Sequence, residues 1–465
     1  MAPEKEEPNK LTPVPSQEGK VEGVHHTHDA VFGELTEDGP NYRNVGWIGT
    51  VALMTKSMIG IGVLSVPISF DTLGIVPGVI ILITIASITT WSDYIVGVFK
   101  LRHPEVYSID DAGHLMFGRA GRIIFGTAFV LYWIFVAGSG MLGISISFNA
   151  MSTHGACTAI FVAIAAIIGF TLGSIQTLAK ISWMAWVGLI GILTAIFTVT
   201  IAVAVQDRPS AAPKDAVWVP DYQIVGNPSF TKAITAVSTL VMAYAGTPGF
   251  FPIVSEMRDP TKYTRSLLVC QTIVTVTYLI VGCVVYIYCG SYVASPALGS
   301  AGPLVKKVSY GFALPGLIVT TLLVIHMPAK YIFVRILQGS RHLATNTLIH
   351  WVTWLGCTVS ITVIAYVIAS SIPVFNDLVS LVGALLGTLM SFQPMGCMWL
   401  YDNWSSGKSE KSVKWMLMVG FSGFVILSGT FLMVAGTYGS VVSIMESYAA
   451  SGGSAAWSCA DNSNS

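Results

Sequence analysis

The sequence predicts an all-α, polytopic membrane protein of about eleven transmembrane helices, and three observations predict it. Charged residues are 10% of the chain, against roughly 25% in soluble proteins, while 53% are hydrophobic. That leaves too few polar side chains to cover a surface in water. Apolar runs of about 20 residues, each able to cross roughly 30 Å of hydrocarbon as a helix, recur almost end to end. Two of those runs are interrupted by Gly and Pro, which a helix facing lipid does not tolerate.

The runs lie near 47–70, 76–99, 121–150, 157–173, 180–205, 232–256, 265–290, 309–337, 346–370, 374–402 and 414–437. The tenth is long enough for one tilted helix or two short ones. Residues 1–44, rich in Pro, Glu, Lys and His, show neither a signal-peptide core nor apolar periodicity, and read as a disordered cytoplasmic tail. Residues 45–437 form the membrane domain, and 438–465 an external tail.

Net charge is zero, which offers no basis for nucleic-acid binding. The distribution is more telling. With the N-terminus inside, 17 Lys and Arg fall on inner segments and 5 on outer ones, and Lys56 and Lys330 remain within spans. This satisfies the positive-inside rule. An odd number of spans then puts the C-terminus outside, and 438–465 holds no Lys or Arg.

The first span is the most informative stretch. About nine residues in it carries Lys56, then Gly60-Ile61-Gly62, then Pro67. Backbone unwound at membrane depth survives only where protein or a water-filled cavity satisfies it, so the break is expected to line a substrate site. The sixth span repeats the pattern with Tyr244-Ala-Gly246-Thr247-Pro-Gly-Phe250-Phe-Pro252, and Glu256, Arg258 and Asp259 follow at its inner end. Two broken helices, each opening a five-span set and running in opposite directions, point to a 5+5 inverted repeat plus one helix, with its site at the midplane.

Elsewhere the readings are plainer. Asp93 and Glu256 are assigned to an inner gate, although an acid placed like Asp93, one turn from the interface, is more often simply hydrated. Asp110 and Asp111, beside His103 and His114, match no metal-ligand spacing and read as a solvated loop. Trp133 and the small residues Gly138, Ser139, Gly140 and Gly143 give the third span a close-packing stripe. The segment 206–231, with Pro209, Pro213, Pro220 and Pro228, reads as an ordered or semi-ordered outer loop. Of seven cysteines, only Cys157, Cys289 and Cys459 lie near the outer face, where a disulfide is open to them. His326, in the eighth span with Pro328 and Lys330, is a functional residue by its depth alone.

The pattern Gly60-Ile-Gly-Val-Leu-Ser-Val-Pro67, with Gly246 to Glu256, resembles the amino acid/auxin permease family, and within it the fungal neutral amino acid permeases of the methyltryptophan-resistance type. The resemblance covers 45 to about 437. It implies the leucine-transporter-like fold of the amino acid-polyamine-cation superfamily and secondary transport of amino acids. In sodium-coupled relatives, an Asn four residues before the first motif Gly and a Thr in span eight bind sodium. Here the first position is Lys56, and aligning on Pro328 and Arg335 places the second on His326. An ammonium has no lone pair for a cation, and two unit charges about 4 Å apart repel by roughly 4 kcal/mol at an effective dielectric of 20.

The expected mechanism follows. A neutral amino acid binds between the breaks, its carboxylate on N–H groups at Gly60, Ile61 and Gly62, where the helix dipole is positive. Trp133, Tyr244, Gly246, Thr247 and Phe250 complete the site. Protons drive transport through Lys56 and His326. No cofactor, metal or catalytic residue is expected, since no nucleophile, metal cluster or nucleotide loop is present. The partners are substrate, protons and the bilayer, in the plasma membrane or else the vacuolar membrane. The alternatives are an amino acid-sensing receptor on the same scaffold and a sodium-coupled or facilitative carrier.

Overall fold

The computed structural model describes residues 27–29, 33–35, 43–209, 211–213, 218–343, 345–371, 375–409, 412–450, 457 and 459–463. Its helices are α1 (Trp47–Met58), α2 (Val66–Leu73), α3 (Ile75–Arg102), α4 (Ile109–Ser152), α5 (Thr158–Gly173), α6 (Leu178–Val205), α7 (Phe230–Ala243), α8 (Phe250–Ser255), α9 (Tyr263–Cys289), α10 (Pro303–Leu337), α11 (Leu348–Ser371), α12 (Phe375–Val382), α13 (Thr388–Ser391), α14 (Gln393–Ser409) and α15 (Val413–Ala450). Among the described residues ten helical segments are long and apolar enough to cross a membrane, and α5, apolar but only 16 residues long, stands at the place of the expected fourth span. Inner and outer faces are named below as the charge asymmetry assigns them.

The first span is α1 and α2, separated by Ile59 to Gly62 and a 3-10 turn over Gly62–Ser65. Pro67 sits in the first turn of α2, where its missing N–H costs nothing. The sixth is α7 and α8, separated by Tyr244 to Gly246 and a 3-10 turn over Thr247–Gly249. These two spans are the most enclosed: 89% and 94% of their apolar stretches are buried, against 17% for α15. The broken helices are therefore the centre of the molecule, and α15 is its lipid-facing rim. Beside them α10, 35 residues long with Pro315 and Pro328 inside it, packs against α4, α5, α6 and α11.

Four expectations are refined here. The tenth run is one interrupted span, with α12 passing through a π-turn at Gly383–Gly387 into α13 and α14. The loop before the third span is partly helical: Ser108 and Asp111 form a capping box that starts α4 early, and Gly118 at φ +64° kinks it. The N-terminal tail holds a short antiparallel pair, β1 (Thr27–Asp29) and β2 (Gly33–Leu35), that sets His28 opposite Glu34; the rest of residues 1–42 lies outside the described residues. The last span does not stop at 437. Its helix continues to Ala450, and Cys459 is disulfide-bonded to Cys157, so the described end of the tail is held against the outer ends of α4 and α5.

Candidate functional site

Glycine builds the site, because the two breaks touch each other. A Cβ on Gly62 would lie 2.5 Å from Ala243 Cα, and one on Gly246 2.9 Å from Met58 Cγ and Ser57 Oγ. A Cβ on Gly60 would meet Thr320 Oγ1 of α10 at 2.7 Å. Each break thus lies against the end of the opposite half-helix, at a distance that only a missing side chain permits. Ile61 extends from the first break toward Gly140 of α4. The N–H groups of Gly60 and Leu64 bond to Met58 and Ile61 carbonyls, which places Ile61, Gly62 and Val63 at the amino end of the next helical turn. That end carries partial positive charge.

Trp133 closes the site from α4. Its ring lies 3.1 Å from where a Gly249 Cβ would stand, and its indole Nε1 is buried without a hydrogen-bond partner. The hydroxyl of the neighbouring Tyr132 donates to the Ala245 carbonyl in the second break. Phe250 opens α8 and is fully buried. Tyr244 does not serve as an open wall: its hydroxyl is 3.2 Å from Thr275 Oγ1, and its ring meets Tyr278 edge-on at 5.1 Å, both on α9. Tyr278 is a residue that sequence reading missed. Its hydroxyl lies 2.8 Å from both the Met58 and the Ala243 carbonyl, so one side chain, with a single proton to share, bridges the carbonyl ends of both half-helices. Nothing distinguishes it from other aromatic residues in its apolar run.

The two cationic candidates separate. Lys56 Nζ donates to the Ile59 carbonyl at 3.0 Å, and its chain lies beside Gly188 of α6, against which Val319 of α10 also packs. The ammonium therefore sits at the carbonyl end of α1, where the helix dipole favours a cation. His326 is seven residues along α10 from Val319, about two turns or 10 Å inward. Its ring packs against Trp354 of α11 at 5.4 Å, with both nitrogens buried and the Ile175 backbone beside it. The expected pairing of Lys56 with His326 fails in depth: seven residues return to nearly the same face of α10, so aligning on Pro328 and Arg335 misplaces the position along the helix by about two turns.

The acidic candidates separate too. Glu256 ends the sixth span at the inner face, where its carboxylate pairs with buried Lys330 and accepts the Leu178 N–H at 3.3 Å. Its backbone carbonyl accepts from Val45 N at 3.1 Å, and Arg258 N returns a bond to Val45 O at 2.9 Å. Glu256 thus joins the start of α1, the start of α6, the end of α8 and α10. Asp93 is not beside it and is not hydrated. It is fully buried, with Gln271 Nε2 of α9 2.6 Å from its Oδ2 and Thr247 of the second break against it. Asp110 and Asp111 are also not a solvated pair: both receive Arg335 of α10, at 2.7 and 2.5 Å, and Asp110 is fully buried. Distance in sequence hid these partners.

Residues 43–442 match the family described as transmembrane amino acid transporter protein. The chain is 31% identical over 466 residues to the N amino acid transport system protein of Neurospora crassa, covering 98% of each chain. It is 34% identical over 432 residues to a transmembrane transporter of Fusarium pseudograminearum, covering 92% of this chain and 89% of that one. Among solved structures it is similar in fold to the nucleobase-cation symporter Mhp1, with a TM-score of 0.54 and 13% identity over 89% of this chain and 95% of that one. It is equally similar to MhsT in complex with L-phenylalanine, at 0.54 and 12% over 86% and 98%. With two touching breaks at the centre of a helical bundle, the chain belongs to the transmembrane amino acid transporter family.

Proposed function

We propose that this amino acid transporter imports neutral amino acids, aliphatic to aromatic, together with protons. The observation that carries the reading is Lys56, whose ammonium takes the Ile59 carbonyl at the first break and leaves that place unattractive to a metal cation. An ammonium there also favours a substrate carboxylate at the adjoining N–H groups of Ile61 and Gly62, the Gly60 N–H being taken by the Met58 carbonyl. Ile61, Trp133 and Phe250 supply apolar surface and no charge for an ionised substrate side chain. His326 is a second, titratable participant, acting from α10 and not through Lys56. The plasma membrane is the proposed residence, supported by a disulfide on the face assigned as outer.

Uptake of labelled leucine, phenylalanine, arginine and glutamate into cells lacking their own carriers tests this. Leucine and phenylalanine should accumulate, the ionised pair should not, and a protonophore should abolish accumulation while sodium removal leaves it intact. Accumulation that needs sodium and ignores the protonophore rejects the coupling. Binding without uptake favours the receptor reading.

A further inference from the structure

One group of polar atoms, reaching from Asp93 to Thr247 in the second break, has no role in the mechanism proposed so far. Where α1, α3, α9 and the second break meet, Asp93 Oδ1 and Gln271 Oε1 are buried without a hydrogen-bond partner, and the hydroxyls of Thr247 and Thr55 are buried beside Asp93 and Cys270. Thr247 and Gln271 lie against Asp93, and Cys270 lies between Asp93 and Thr55. The carboxylate and amide oxygens can only accept, and each hydroxyl brings a single proton. The cluster therefore holds more acceptors than donors, around an acid with no cation.

Among the described residues the surroundings supply none; Lys100, about two turns along α3, gives its ammonium to the Pro104 and Val106 carbonyls. From α9 the ionisable groups that face Asp93 are Tyr263 and Cys270, and Tyr263 donates its hydroxyl 2.8 Å to the Asp93 backbone carbonyl. On α1, Lys56 follows Thr55 but turns to Ile59 and Gly188. After α8, Glu256 is taken up by Lys330 and Leu178. On α14, Asp402 pairs with Arg102 and His103 at the inner end of α3. Lys262 pairs with Asp259 at the surface, and Asp71 of α2 stands at the outer end. A buried carboxylate with neither cation nor full hydrogen bonding costs several kcal/mol, and one proton removes that cost and adds the missing donor.

We propose that Asp93 is a proton-binding site of the transport cycle. A proton taken from the outer side binds Oδ1 and lets the acid donate to Thr247 or Gln271, which fastens the second break to α3. Release of the same proton to the inner side restores the carboxylate and frees the break, so one proton enters and one leaves. Thr247 is the link, because it belongs to the break that must move and touches the group that titrates. This rests on the reading that transport is proton-driven.

The test compares wild type, Asp93→Asn, Asp93→Glu, Gln271→Leu and His326→Ala in reconstituted vesicles. Asp93→Asn keeps the shape of the neutral acid, so counterflow exchange of labelled amino acid should persist while proton-driven accumulation falls at least tenfold and loses its pH dependence. Asp93→Glu should retain pH dependence at a lower rate. Gln271→Leu removes a donor to the carboxylate and should move the alkaline limb of the transport profile upward by about one pH unit, a readout that remains if Asp93→Asn does not reach the membrane. Protonophore-sensitive accumulation in Asp93→Asn at wild-type level, or an unshifted profile in Gln271→Leu, overturns the proposal. A pH dependence lost in His326→Ala and kept in Asp93→Asn places the proton at His326 instead. Wild-type accumulation that ignores the protonophore defeats the underlying reading, and sodium dependence that Asp93→Asn removes assigns the cluster to a metal cation.

Discussion

The inner and outer closures of this transporter are made of different chemistry. At the inner face, charged side chains join separate helices: Glu256 to Lys330, and Arg335 to Asp110 and Asp111, with Arg122 3.6 Å from Asp111. At the outer face the joints are backbone bonds, side-chain bonds to the end of the chain and a covalent bond. Ile75 and Val76 donate to Gln223 and Ile224 carbonyls at 3.0 Å, and Gly226 N donates to Leu73 O at 2.9 Å, so the loop before α7 is laid across the turn between α2 and α3. Gly74, at φ +83°, makes that turn, and a Cβ there would stand 2.4 Å from Gly226 N. Nearby, Cys459 is bonded to Cys157, Asn462 bonds to Asn149 at 2.7 Å, and Lys306 donates to the Ser463 carbonyl. Ion pairs can be exchanged for water when a gate opens, whereas a disulfide persists through the cycle. The contrast predicts that the inner contacts part during transport while the outer ones stay joined.

Both closures turn on the breaks, so the largest expected effect is there. Gly62→Val and Gly246→Val should each abolish transport while leaving protein at the membrane, because the added atoms collide with Ala243 or Met58. Uptake and surface labelling measure this, and near-normal substrate affinity in both variants would remove the breaks from the binding site. Next comes the inner latch. Removing one partner of a buried pair costs about 3–5 kcal/mol, so Glu256→Gln should lower transport at least tenfold and bias the carrier toward inward opening. A thiol introduced by Ile61→Cys should then react faster with a reagent supplied from inside. The double variant Glu256→Gln with Lys330→Met should recover part of the loss, and no recovery would argue against a latch.

Smaller effects sharpen the contrast. Arg335 is partly exposed, with 22% of its side-chain surface open, so Arg335→Gln should reduce uptake only a few-fold, about 1 kcal/mol after solvent screening. Loss as severe as that of Glu256→Gln would make the two inner contacts a single device. The smallest change in transport is expected at the outer brace. Cys459→Ser should keep uptake within about twofold and lower the thermal midpoint. Cys157→Ser should match it, and the double variant should be no worse than either single one, since both remove the same bond. An additive loss in the double variant would mean that the two thiols act separately.

The site was partly legible. Gly60, Gly62, Gly246 and Lys56 stand out because a break or a charge inside an apolar run is a local anomaly that needs no partner to be seen. Glu256 was placed at the end of its span, where the helix does stop, yet its partner Lys330, inside the eighth run, was not identified. Asp93 was misjudged because distance from a span end gives depth but not facing, and its helix turns it toward Thr247 and Gln271 instead of water. Tyr278 carried no signal, since its role is defined by two carbonyls on other helices.

By itself the sequence determined the class, the number of spans, the two interruptions and the charge asymmetry. All of these are sums or irregularities along a single run of chain, governed by the cost of placing polar groups in hydrocarbon. Only the tertiary structure decided which charges meet, for the pairs are remote: 74 residues separate Glu256 from Lys330, 225 separate Asp110 from Arg335, and 302 separate Cys157 from Cys459. A helix in a bundle chooses its rotation by packing with all its neighbours at once. A single residue's position along it therefore fixes its height in the membrane and leaves its partner to the fold.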